Sequence, residues 1–207
     1  MQEQQSHSTD RIILASSSPR RRDLLTKLGI PFDVFPSSVE EEPLDGESPE
    51  DQVSRLALAK AEEISLRFPE AWVLGADTIV VIDHSVLGKP RDAADAKSML
   101  AKLAGRTHEV YTGYALISSR DSEVQRRRYV RSLVTIRKLG EAEIEGYVST
   151  GEPMDKPGAY AVQGIGSGIV ESISGSYTNV VGLPLCEVAR DLQQLGIFDF
   201  LTPGSKR

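Results

Sequence analysis

Asp77 and Thr78 interrupt an otherwise apolar run, with Val73-Leu74-Gly75-Ala76 before them and Ile79-Val80-Val81-Ile82 after. Burying a carboxylate alone in such a run is costly, so Asp77 either ends a strand at a cleft or pairs with a cation. At a cleft it would be a metal ligand or a general base, while the plainer alternative is an Asp capping a turn. Lys60 poses the complementary question. Val53, Leu56, Ala57 and Ile64 make an apolar stripe at helical spacing, and Lys60 falls on it. Its ammonium either faces a groove or snorkels to water along its own stem. In Ser16-Ser17-Ser18-Pro19-Arg20-Arg21-Arg22, Ser18 suits an N-cap and Pro19 the first helical position. Arginines at a positively polarised helix start are unfavourable unless they bind an anion such as phosphate or swing away into solvent.

Weaker signals accompany these. Glu40-Glu41-Glu42 is an acidic loop, either a second source of carboxylates or simply solvated. Leu87-Gly88-Lys89-Pro90 and Gly105-Arg106-Thr107-His108 each place a cation where it could reach a phosphate, although Gly88-Lys89 lacks the pattern of a P-loop. Gln163, beside Gly164, carries a neutral amide that could read a base edge through paired donor and acceptor bonds. His108, in a β-like run, reads as a hydrogen-bonded structural residue, and the few histidines argue against a His-based metal site. Cys186, the one cysteine, cannot form an internal disulfide and reads as core.

These residues need elements to position them. Arg11 to Ala15 predicts a strand, the serines a turn, and Arg20 to Leu28 a helix stopped by Gly29. Pro31 to Pro36 predicts a second strand and Pro49 to Phe68 a long helix. Ala71 to Ile82 predicts a buried strand bent at Gly75. Asp92 to Leu103 predicts a helix, and Thr107 to Ser118 and Arg128 to Arg137 a hairpin joined by the polar link Ser119 to Arg127. Glu141 to Val148 and Leu183 to Leu195 predict helices on either side of glycine-rich turns at strand ends. The expectation is an α/β fold: a mixed twisted sheet flanked by helices, with two lobes around a central cleft. Residues 11–198 would form one domain, with residues 1–10 and 199–207 as tails.

The chain has 207 residues with a formal net charge of −6, 40% of them hydrophobic, which excludes disordered, collagenous and disulfide-scaffold classes. No apolar stretch is long enough to cross a bilayer, and the start lacks the pattern of a signal peptide. A cytoplasmic protein is expected, with no membrane partner. The net acidity argues against stable nucleic-acid binding, and the arginines at 126, 127, 128 and 131 read as a solvated edge.

Taken in order, Leu14 to Arg21, Gly75-Ala76-Asp77-Thr78, Leu87-Gly88-Lys89-Pro90, Gly105-Arg106-Thr107-His108, Asp155-Lys156 and Asn179 to Pro184 resemble the motifs of the Maf-like family of nucleoside triphosphate pyrophosphatases, over roughly residues 11 to 198. The fold this implies is Maf/ITPase-like. The implied reaction is hydrolysis between the α and β phosphates of a nucleoside triphosphate, giving a monophosphate and diphosphate, with a divalent metal cation, Mg²⁺ or Mn²⁺. The resemblance makes Asp77 the proton acceptor with Lys60 and Lys89 as further catalytic groups. It puts Ser16, Ser18 and Arg20 on the phosphates, Glu41 and Asp77 on the metal, and Arg21, Thr78 and Gln163 in base selection. Tyr160 to Gly164 and Ser176 to Asn179 are similar to the dTTP/UTP branch rather than the 7-methyl-GTP branch. Glu40-Glu41 stands where Asp-Glu is usual and Pro157 where Ala is usual. A homodimer is also implied. The competing readings are a non-catalytic nucleotide or nucleic-acid binding regulator of cell division and septum formation, and a purine-selective enzyme of the same class.

Overall fold

Ser18, Ser48 and Asp92 each accept a hydrogen bond from the backbone N–H three residues on, and each opens a helix. These are α1 (Pro19–Thr26), α2 (Pro49–Ser65) and α3 (Ala93–Leu103) in a computed structural model that describes residues 11–120 and 123–198. The expected tails at 1–10 and 199–207 lie outside the described residues. Pro49 at the first helical position suits the start of α2, and Glu50 and Asp51 complement its positive end.

Between these helices the sheet is laid down as β1 (Arg11–Ala15), β2 (Phe32–Val34), β3 (Ala71–Ile82), β4 (Ser85–Leu87), β5 (Thr107–Ser118), β6 (Glu123–Ile136) and β7 (Val170–Ser174). Helix α4 (Glu141–Ser149) precedes β7, and α5 (Tyr177–Val181) and α6 (Leu185–Gln194) close the described chain. Strand β6 starts five residues before Arg128, so most of what reads as a polar link is strand. Three short 3-10 turns, Glu152–Asp155, Pro157–Ala159 and Gly164–Gly168, fill the glycine-rich stretch.

The seven strands run in the order β2-β1-β3-β5-β6-β7, with β4 paired to the far end of β3. β1 is parallel to both β2 and β3, and the remaining pairings are antiparallel. The chain leaves β1 toward β2 on one side and returns to β3 on the other. That reversal opens a crevice beyond the carboxyl end of β1, where ligands bind in sheets of this kind. The register makes the crevice concrete. β1 covers β3 only as far as Gly75, opposite Ala15, and β4 takes over from Val80. On that edge residues 76–79 of β3 have no strand partner among the described residues.

Alternation along β3 sorts its side chains between two faces. Leu74 and Ala76 join Ile12, Leu14, Leu24, Leu25, Val188 and Leu192 under α1 and α6. Further along the same face, Val80 and Ile82 join Leu100, Leu103, Tyr147 and Tyr160 under α3 and α4. The opposite face carries Val73 against Ala61 and Ile64, and Ile79 and Val81 beside Val53, all under α2. Two glycines let α2 lie this close: a Cβ at Gly75 would overlap the carbonyl oxygen of Ala57, and one at Gly113 that of Val53. Gly75 pairs with Ala15 on one side and Ala115 on the other, so it serves the helix approach inside an intact ladder rather than a bend.

Candidate active site

The crevice is a cavity of about 490 Å³ whose walls include the β1–α1 turn, the exposed edge of β3, the loop at Glu41, the Lys89 turn and the segment 155–163. It opens between the two hydrophobic clusters on the α1 side of the sheet, where Val162 packs against both, and reaches past the free edge of β3 to Lys60 of α2. Arg20, Arg21, Lys60, Lys89 and Lys156 line it against the carboxylates Glu41, Asp77 and Asp155. An excess of cations here, on a chain of net charge −6, makes the crevice suited to an anionic ligand.

Asp77 sits inside β3, opposite Gly113, and is 4% exposed. Having an odd number, it faces α2 and meets Lys60, which is 5% exposed. Lys60 Nζ donates to Asp77 Oδ1 at 2.6 Å and to Glu41 Oε1 at 2.5 Å. Asp77 thus neither caps a turn nor ends a strand, and Lys60 does not snorkel; each resolves the burial of the other. The Lys60 bond goes to Oδ1, and no hydrogen bond to Asp77 Oδ2 is formed among the described residues. Burial works against the ionised Glu41, but the Lys60 hydrogen bond and the charges of Lys60, Lys89 and Arg21 outweigh it and hold its carboxyl below the ordinary value. Lys89 is over half exposed, with Nζ 3.8 Å from Glu41 Oε2.

Thr78, the next residue, points to the other face. Its hydroxyl lies 2.9 Å from that of its cross-strand neighbour Thr112 and accepts from Arg21 Nη2 at 3.0 Å. Arg21 also donates to the carbonyl of Gly182 and to Ser16 Oγ, so its guanidinium is tied on three sides. Burial lowers its pKa from the usual value, opposed by the charges of Asp77 and Glu41.

The three arginines at the start of α1 therefore have three fates. Arg20 faces the cavity and pairs with Asp155 at 3.0 Å, Arg21 is a structural clamp beside Thr78, and Arg22 is exposed near Asp23. Ser16 and Ser18 line the cavity, but Ser18 Oγ also caps α1 and Ser16 Oγ accepts from the backbone N–H of Ser18. Gln163 lines the cavity too, with its amide making no hydrogen bond among the described residues.

Other candidates fall away from this centre. Arg106 lies outside the cavity wall and pairs with Asp83 at 2.6 Å, so it is not placed to reach a phosphate there. Cys186 is exposed near the start of α6, contrary to the expectation of a core residue, because the apolar stripe of that helix runs through Leu185, Val188 and Leu192. His108 is buried with Nε2 2.7 Å from the Tyr160 hydroxyl, the structural role expected of it. The basic edge is largely spent: Arg126 and Arg128 reach the buried Asp191, and Arg131 pairs with Glu109.

Sequence reasoning passed over Tyr147 and Glu152, which support the wall that carries Gln163, while Lys156 of the quoted Asp155-Lys156 motif bonds Asp155 from the cavity side. The spacing of Gly164 and Gly166 is the one local signal of the former, because tightly placed glycines mark a close approach.

The carboxylates that could hold a divalent cation are those of Glu41 and Asp77, which converge on one Lys60 nitrogen. No group of three or more His, Cys, Asp or Glu side chains suited to a metal is present among the described residues. Two carboxylates are too few to hold such a cation by protein alone, and phosphate oxygens would have to complete its shell. No helix among the described residues is long and apolar enough to cross a membrane.

Comparison with known proteins gives the family. The family described as "Maf-like protein" matches residues 11–195. A protein of Syntrophotalea carbinolica is 52% identical over 188 residues, covering 89% of this chain and 84% of its own. One of Geobacter metallireducens is 53% identical, covering 90% and 96%, and one of Syntrophus aciditrophicus is 49% identical, covering 93% of each. All three are named dTTP/UTP pyrophosphatase.

Proposed function

Because the chain belongs to the Maf-like protein family, we propose that it is a nucleotide pyrophosphatase that hydrolyses dTTP and UTP to the monophosphate and diphosphate. The observation that carries the reading is the buried Lys60–Asp77 pair at the foot of a cation-lined cavity, in a chain about half identical to enzymes of that name. A triphosphate repels an approaching nucleophile, so catalysis at phosphorus rests on positioning and charge neutralisation.

Arg20 and Lys89 bind the phosphate chain, and Ser16 and Ser18 border it. Arg20 exchanges its ion pair with the exposed Asp155 for a phosphate oxygen. Lys60 orients Asp77 through Oδ1, which leaves Oδ2 to align a water and take its proton as the oxygen attacks the α phosphorus. The bond to the β phosphate breaks and diphosphate leaves. Glu41 and Asp77 would hold Mg²⁺ or Mn²⁺, which when bound supplies charge neutralisation on the phosphates. Arg21 and Thr78 shape the far wall, and Gln163 presents a donor and an acceptor to the base. Hydrolysis of modified pyrimidine nucleotides before their incorporation, action in the cytoplasm and assembly as a homodimer complete the reading. With Arg126, Arg128 and Arg131 already engaged, the basic edge offers little support to nucleic-acid binding.

The test is diphosphate release from dTTP, UTP, CTP, GTP, ATP, ITP and 7-methyl-GTP, with Mg²⁺ or Mn²⁺ and with chelator. Release from dTTP and UTP that chelation abolishes is expected. Release from a purine nucleotide alone overturns the assigned specificity, and silence across the panel overturns the enzyme.

A further inference from the structure

The wall that carries Gln163 is built from residues with little intrinsic order. Glycines stand at 164, 166 and 168, and glycine loses more backbone freedom on ordering than any other residue. Two side chains from outside the cavity hold this segment. Glu152, in the 3-10 turn after α4, accepts the backbone N–H of Ile165 through Oε2 at 2.9 Å and that of Gly166 through Oε1 at 2.8 Å. Tyr147, buried in α4, donates its hydroxyl to Glu152 Oε1 at 2.8 Å and accepts the backbone N–H of Ala161 at 3.1 Å. One linked pair thus grips the chain two residues before Gln163 and again two and three residues after it.

The glycines fit this grip rather than a generic loop. Gly164 has φ +68°, and a Cβ there would overlap Glu152 Oε2. A Cβ at Gly166 would overlap the carbonyl of Ala161 and lie 2.5 Å from the Tyr147 hydroxyl. The backbone has to come this close for its N–H groups to reach the carboxylate. Bonds to an ionised acceptor are stronger than neutral ones, and the Glu152 carboxyl is held ionised: burial opposes it, but its backbone and Tyr147 hydrogen bonds prevail and lower its pKa.

We propose that Tyr147 and Glu152 are positioning residues that set the choice of base, by fixing the backbone on both sides of Gln163 before substrate arrives. The proposal rests on the reading that Gln163 meets the base. Neither residue lines the cavity, whereas Asp77, Lys60 and Lys89 stand on other elements. Loosening the grip therefore leaves the reacting groups in place and makes substrate binding bear the ordering of the segment. The loss falls on KM and on discrimination between bases, with kcat spared.

Steady-state kinetics on dTTP, UTP and CTP test this with Tyr147→Phe, Glu152→Gln, Glu152→Ala and, in parallel, Gln163→Ala. Tyr147→Phe keeps the ring and removes the hydroxyl, and is expected to raise KM for dTTP roughly five- to tenfold. Its kcat should stay within about twofold of wild type, and its preference for dTTP over CTP should fall by a factor similar to the rise in KM. Glu152→Gln, which keeps one carbonyl oxygen for an N–H, should lie between wild type and Glu152→Ala. A common drop in kcat with KM and preference unchanged would mean that the pair is merely structural, and overturns the proposal. Wild-type KM and preference in Tyr147→Phe and Glu152→Ala, with Gln163→Ala impaired, overturns it while sparing the base reading. An unaltered preference in Gln163→Ala overturns the base reading and this proposal with it. Should Glu152→Ala fail to fold, Tyr147→Phe and Glu152→Gln decide.

Discussion

Replacing Lys60 by methionine removes the charge from a pair in which both side chains are less than a tenth exposed, and keeps the stem that packs under α2. Breaking a buried ion pair from one side typically costs about 3 to 5 kcal/mol, because the remaining charge is stranded. The pair borders an open cavity and Glu41 is about half exposed, so water can relieve part of the burden. The lower end, about 3 kcal/mol, is expected, which for a protein of this size is a fall of roughly 6 to 12 °C in Tm. Urea unfolding of the wild type, Lys60→Met and Lys60→Met/Asp77→Asn measures it. The double variant leaves only the half-exposed Glu41 carboxylate without Lys60 and should regain most of the loss. A single variant within about 0.5 kcal/mol of wild type, or a double variant no more stable than the single one, would refute the reasoning.

Gly113→Ala drives a Cβ into the backbone of α2 at Val53, so strand or helix must move, at a cost of about 1 to 3 kcal/mol; a lower urea midpoint and slower turnover are expected, and a neutral effect on both contradicts the packing account. His108 is pushed down to about 4 by burial. The unfolded chain takes up a proton at this residue near pH 6.5 and the folded chain does not, so stability is lost as pH falls from about 6.5 toward 4. Between pH 7 and 5 the loss should be about 2 kcal/mol from this residue. Its absence in His108→Gln, read as a smaller difference in urea midpoint between those pH values, checks the cause.

The elements that position the site were legible because their signals are local. Ser18, Ser48 and Asp92 announce their helices by cap chemistry within one turn, and the apolar run at 71–82 gives the limits of β3 to the residue. Strand β4 escaped notice because it is three residues long and its turn uses Asp83 and His84 at positive φ, where glycine or asparagine is the usual mark. The early start of β6 was hidden by arginines. Arg126 and Arg128 are tolerated there because Asp191, buried on α6 and distant in sequence, receives them.

The site itself divides in the same way. The odd character of Asp77 and Lys60 could be read separately, since each violates a hydrophobic pattern, but their pairing depends on α2 crossing β3 over Gly75 and Gly113. Among the arginines, residue type does not distinguish Arg20 from Arg21. Their roles follow from which face of α1 meets Thr78 and Gly182 and which meets the cavity. Tyr147 and Glu152 were silent because their bonds go to backbone groups of a distant segment, and any residue type can supply a backbone N–H.

The measurement that bears most directly on the central claim compares wild type and Asp77→Asn for diphosphate release from dTTP and for dTTP binding by calorimetry with Mg²⁺. The substitution keeps the size of the side chain and removes the proton acceptor. The account predicts turnover lowered by at least roughly a hundredfold, with affinity within a few-fold of wild type. Near-normal turnover in Asp77→Asn, with binding intact, would contradict it.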